Sequence, residues 1–124
     1  MDDSDVILDV EVLRKLESIM PHEQFIALAG SYLNGVAARS NRIAALVAGR
    51  DLNGIGREAH DLKSTSGTFG ARRLQRLGEQ LETACRAQTL DTVGPLAAAV
   101  AALVPETIEA ALRRYPDIPI ERGR

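Results

Sequence analysis

One histidine in this chain sits among residues that suit phosphoryl chemistry. His60 is flanked by Arg57 three residues before it and Lys63 three residues after it. On a helix advancing about 100° per residue, Asn53, Gly56, Arg57, Lys63, Ser64 and Gly67 fall within about 60° of His60. A neutral imidazole is a good nucleophile, and histidine is mostly neutral near pH 7 when unperturbed. In phosphoryl transfer, catalysis is mainly positioning plus neutralisation of the equatorial oxygens. Lys63 offers a point charge for that purpose, and a phosphoryl group on the ring would lie between Arg57 and Lys63.

The same face carries small residues. Glycine inside a helix costs about 0.5–1 kcal/mol relative to alanine, so Gly56 and Gly67 on one exposed face need a reason. Room is the one we infer: a partner's active site can close over an imidazole standing above a low surface. Ile55, Ala59, Leu62, Ser66 and Phe69 fall on the opposite side of the wheel and read as the core face. The chain brings no carboxylate pair, nucleophile–base dyad, Gly-rich ATP lid or Walker A loop. The metal and acidic pocket that such a transfer needs would therefore come from a partner, and no cofactor is expected here.

The elements that must position His60 all read as helices. The 124 residues are 45% apolar but only 3% aromatic, and Ala and Leu, both strong helix formers, dominate. Residues 1–8 read as a flexible tail. A short helix begins at Asp9 with Val10, Leu13 and Leu16 on one side, and Pro21 ends it or opens the next. The second helix spans about 21–48, with Arg39 and Ser40 interrupting its apolar stripe, and Gly49 following. Asp51 reads as the N-cap of the histidine helix and Gly70 as its closing residue. A fourth helix starts near Ala71 with Leu74, Leu77, Leu81 and Ala84 or Cys85 inward. Asp91 or Thr92 reads as the cap of a fifth helix, which Pro105 should kink or break. Residues 116–124 read as a loose tail. Short loops between long amphipathic helices favour antiparallel neighbours. The expected fold is all-α: an antiparallel four-helix bundle over residues 9–115 with a short additional N-terminal helix.

Composition removes several functions. The formal net charge is −2, with no polybasic run and no aromatics interleaved with basic residues, so nucleic acid is not an expected partner. The longest apolar run, 96–104, is too short to span a bilayer, and the acidic start lacks a signal-peptide n-region. A cytoplasmic location with no membrane partner, and a monomer, are expected. His22 and His60 lack metal-ligand spacing, so no metal site is expected. His22 reads as a surface residue and the single cysteine, Cys85, as a small core residue. The Ser64-Thr65-Ser66 hydroxyls read as bonding back to the preceding turn. Arg72, Arg73 and Arg76 read either as a solvated face or as guidance towards an acidic partner.

The segment from His60 to Ala71 resembles the signature of histidine-containing phosphotransfer domains. After the histidine that signature has an apolar residue two positions on and lysine three on. Small residues follow at four and seven, and glycine at ten. Leu62, Lys63, Ser64, Gly67 and Gly70 meet it, and Leu74, Leu77 and Leu81-Glu82 continue it. The resemblance covers roughly residues 8–115, with the specific motif at 60–82. Position 64 is serine where the family most often has glycine.

By that resemblance His60 is the phosphoacceptor and Lys63 helps hold the group. Gly56, Arg57, Ser64, Gly67 and Gly70 would belong to the docking face, with Gly70 permitting the tight turn. The implied partners are receiver domains of response regulators or hybrid histidine kinases, between which the group passes, without ATP-dependent kinase activity. The competing reading is an unphosphorylated helical adaptor that docks and regulates a receiver or kinase.

Overall fold

A computed structural model describes residues 6–121. Five helices follow in order: α1 (Val10–Ser18), α2 (His22–Ala48), α3 (Leu52–Phe69), α4 (Arg72–Arg86) and α5 (Leu90–Arg114). The connections are short, so α2 to α5 pack as successive antiparallel neighbours, and α5 closes the ring against α2. The short α1 lies across α2 and α3. Among the described residues there is no strand. The fold is thus all-helical, four long helices plus a short N-terminal one.

Local chemistry explains where the histidine helix starts and stops. The Asp51 side chain accepts from the Gly54 amide at 2.9 Å, satisfying one of the donors left unpaired at a helix start. At the other end Gly70 adopts φ 86°. A side chain there would be strained by the backbone and would also press on Val12, 3.0 Å from where a Cβ would sit. Gly70 is therefore buried beneath α1 and is not part of a docking surface. α1 is held over this turn: the Asp9 amide donates to the Gly70 carbonyl at 2.7 Å, and Arg72 reaches the Asp9 carboxylate at 3.0 Å. That guanidinium holds the Asp9 carboxyl below its ordinary range. Arg72 is thus tied to the fold and half-buried, and Arg73 and Arg76 lie at the exposed surface of α4.

The core divides into two ends. One gathers the aromatics: Phe25 packs edge-on to Tyr115 at 4.9 Å, and Tyr32 stacks on Phe69 at 4.6 Å. Fully burying one such ring stabilises the fold by about 1.5–3 kcal/mol. The other end is aliphatic, built from Ile43, Ile55, Ala59, Leu81, Ala84, Cys85, Val93 and Ala97. Cys85 is a buried core residue, and burial pushes its thiol pKa up. α3 contributes to both ends through Ile55, Ala59, Leu62, Ser66 and Phe69, all buried as the wheel places them.

Four expectations about the frame need correction. Ser40 does not interrupt the stripe of α2; it is 8% exposed and sits in step with Val36 and Ile43. Arg39 lies on the flank, where its guanidinium bonds Glu58 at 2.8 Å. The N-cap position of α5 falls at Thr89, two residues before Asp91, and Pro105 does not break the helix. Pro105 and Ala101, whose carbonyl loses its partner, are both exposed, so water can take the freed bond.

The tails are also more ordered than their composition implies. Over 116–121 the chain is not loose: Ile118 is buried, and the Asn34 side chain donates from Nδ2 to the Pro119 carbonyl at 3.1 Å and accepts at Oδ1 from the Glu121 amide at 2.9 Å. The Tyr115 hydroxyl donates to Glu17 at 2.7 Å, and His22 Nε2 lies 3.0 Å from Asp117, holding that carboxyl below its ordinary range. At the other end Leu8 packs on the core, and Val6 receives the Arg73 amide. The remaining tail expectations, over 1–5 and 122–124, lie outside the described residues.

α5 is long and apolar enough, by length and composition, to cross a membrane, although no uninterrupted apolar run does so. Its buried stripe of Val93, Ala97, Val100, Val104, Thr107 and Ala111 is the contact it makes with the bundle.

Candidate functional site

α3 turns its core stripe inward, which leaves His60 on the outside with 59% of its side chain exposed. The imidazole is nonetheless not loose. Its Nδ1 lies 2.9 Å from Glu82 Oε2 on α4. The other oxygen of the same carboxylate, Oε1, accepts from Lys63 Nζ at 2.8 Å. Arg86, one turn further along α4, brings Nη2 to 3.8 Å of Oε1. Glu82 is only 18% exposed, and its lysine and histidine partners hold the carboxyl below its ordinary range, Lys63 most strongly. An ionised carboxylate accepts and does not donate. It therefore selects the tautomer with the proton on Nδ1, leaving the Nε2 lone pair free.

The reach from α4 to α3 depends on a close crossing. A Cβ at Gly78 would stand 2.8 Å from the Lys63 amide nitrogen and 3.1 Å from the Ala59 carbonyl oxygen. Only a residue without a side chain lets the two backbones approach so nearly. Glu82 is one turn beyond Gly78 and so arrives beside His60 and Lys63.

Around the ring the surface is a shallow groove of about 510 Å³, bounded by Asn53, Gly56, Arg57, Asp61 and Arg86. Arg57 and Ser64 are exposed. Gly56 is half-buried, and a Cβ there would meet only Cys85 at an ordinary 3.6 Å. Its absence keeps the floor low rather than relieving a clash. Gly67 has a different reason: a Cβ would stand 2.8 Å from the Gln75 side chain, so this glycine admits α4. The hydroxyls also divide. Thr65 donates back to the Asp61 carbonyl at 2.8 Å, while Ser66 is fully buried and pairs with the Tyr32 hydroxyl at 2.6 Å.

The structure thus brings His60, Lys63, Arg57, Gly56 and Ser64 to one surface, and moves Gly70 away from it. Sequence reasoning gave no role to Glu82 or Gly78. The four-residue spacing that puts them on one face of α4 was the available signal, but a partner on a neighbouring helix is not written in either helix alone. Among the described residues no group of three or more His, Cys, Asp or Glu is placed to hold a metal ion.

Chemically, the arrangement is an outward nucleophilic nitrogen with its proton anchored on the far side, and cations on both flanks. No curated protein and no solved structure matches the chain. A family model does: the Hpt domain model matches residues 27–114, from α2 through the end of α5 and across the whole histidine helix. That family's activity is phosphotransfer within phosphorelays, and its members interact with receiver domains. With the helical bundle, the match over most of its length and an exposed histidine on the third helix, this chain belongs to the Hpt domain family.

Proposed function

We propose that His60 accepts a phosphoryl group from the phospho-aspartate of one receiver domain and passes it to the aspartate of another. The observation that carries this reading is the Nδ1–Glu82 bond at 2.9 Å, which leaves Nε2 as the ring nitrogen facing the groove. Nε2 attacks the phosphorus, and Lys63 neutralises part of the charge on the equatorial oxygens. Gly56, Arg57 and Ser64 belong to the face that the receiver covers, while Gly67 makes room for Gln75 of α4 at its edge. The receiver supplies the divalent metal and the acidic pocket. The protein has no ATP-dependent kinase activity of its own, and works as a monomer in the cytoplasm.

Incubation with a phosphorylated receiver should label the protein with an acid-labile, base-stable phosphate, and His60→Gln should abolish the label. Labelling that survives this substitution would defeat the assignment. A biological effect that persists in His60→Ala would favour an adaptor that docks without being phosphorylated.

A further inference from the structure

Resting on the relay reading above, we propose that Gly35 of α2 is a docking residue that sets which receivers fit. Its missing side chain opens a groove between α2 and α3 in which the receiver seats an apolar side chain. The case begins with what the fold does not require. Gly35 is exposed, and a Cβ there would meet no atom within 4 Å. It stands midway along the 27-residue α2, where glycine weakens a helix relative to alanine. Gly67, Gly70 and Gly78 each admit a neighbouring element. Gly35 admits none among the described residues.

The groove beside it is the second observation. It encloses about 320 Å³, and Leu16, Leu28, Tyr32 and Phe69 line it together with Gly35. Leu28 is 40% exposed, a large apolar side chain left facing solvent. The hydroxyls along the groove are already committed to the protein. Thr65 and Thr68 donate to the Asp61 and Ser64 carbonyls at 2.8 and 3.1 Å. The Tyr32 hydroxyl pairs with the buried Ser66 hydroxyl at 2.6 Å. Arg39, the charged residue of the lining, is held by Glu58 at 2.8 Å. A surface with its polar groups so satisfied gains most from covering its apolar area.

Position names the partner. Ser64 lies one turn beyond His60 on α3, on the face that the receiver covers, and it lines this groove as well. The groove is therefore continuous with the phosphotransfer face, and a receiver seated over His60 reaches it without a second contact surface. A side chain at position 35 would occupy part of that space.

Gly94 of α5 supplies the control. A Cβ there would likewise meet nothing within 4 Å. Thr92 and Leu96, two residues to either side, line the surface next to Lys63 and Glu82, so a side chain at 94 would point the other way.

The probes are phosphorylated receiver domains that label the wild type. Labelling rates are measured over a range of receiver concentrations for the wild type, Gly35→Ala, Gly35→Leu and Gly94→Leu. Thermal unfolding checks each fold, and loading by phosphoramidate, a small-molecule donor that needs no receiver, checks His60. Gly35→Leu should raise the KM for the receiver about tenfold or more. Its rate at saturation should stay within about twofold of the wild type's, the mark of lost binding rather than lost chemistry. Gly35→Ala should raise KM by a smaller factor while raising the melting temperature by a few degrees. Gly94→Leu should leave KM unchanged. An unchanged KM in Gly35→Leu, an equal rise in Gly94→Leu, or a matching loss of phosphoramidate loading would overturn the inference and leave the relay reading in place. Self-association of the wild type in sedimentation that Gly35→Leu abolishes would give the groove to a second copy and overturn it too. If phosphoramidate loads the wild type but no receiver labels it, the relay reading falls and this inference with it.

Discussion

Two glutamates, Glu58 on α3 and Glu82 on α4, stand at helix borders in similar circumstances and serve different ends. Glu58 is 22% exposed and is gripped by Arg39 at 2.8 Å and by Arg42 at 3.3 Å. Glu82 is 18% exposed and is gripped by Lys63 at 2.8 Å, with His60 at 2.9 Å. Each is a partly shielded carboxylate shared between two side chains of a neighbouring helix, so each clamps two helices together, α2 to α3 and α3 to α4. The difference lies in the partners. A guanidinium only donates and keeps its proton at every relevant pH. An imidazole bonded through one nitrogen still has the other to use. Anchoring is what the two sites share, and a free lone pair is what only the second possesses.

That comparison can be broken most sharply at the ring. His60→Gln should remove phosphate labelling by a phosphorylated receiver altogether, while circular dichroism shows an unchanged helical bundle. Next in size is the crossing that carries Glu82. Gly78→Leu forces a side chain between the α3 and α4 backbones and should lower unfolding stability by about 1–3 kcal/mol in denaturant titration. It should also slow transfer, because Glu82 is carried away from His60.

The Glu58 side should respond in stability alone. Glu58→Gln weakens charge-assisted bonds and should cost about 1–2 kcal/mol of stability. Labelling of His60 should proceed at the wild-type rate. Slowed labelling without a loss of structure would show that the two carboxylates are not as separate as the geometry makes them.

The smallest effect is the acid response of Glu82. Its carboxyl is held below the ordinary value near 4.5, so its contribution to stability is present above that value and is lost as pH falls through the lower, folded-state one. The wild type should lose stability more steeply than Glu82→Gln over that acid window, measured by denaturant unfolding at successive pH values.

Much of the frame was legible in the sequence because it is written within single helices. The Asp51 cap, the Gly70 stop and the inward stripe of α3 follow from spacing and backbone preference alone. So does the outward placement of His60. What was not legible needs two elements at once. Ser40 looks like an interruption until Val36 and Ile43 are buried on either side of it. The prolines at 116 and 119 look like the start of a loose tail until Asn34 of α2 supplies the hydrogen bonds and Ile118 finds the core. Gly67 reads as open docking surface until Gln75 of α4 fills the space beside it. Glu82, the partner that orients the imidazole, stands 22 residues from it and depends on a helix crossing that no periodicity specifies.

The central claim is that the group rides on the outward nitrogen of His60 while Glu82 holds the inward one. Nitrogen and phosphorus NMR on the loaded, ring-labelled protein tests this directly, because the two ring nitrogens give distinct couplings to phosphorus. The account predicts phosphate on Nε2 with the proton on Nδ1. Phosphate on Nδ1, or on any residue other than His60, would contradict it.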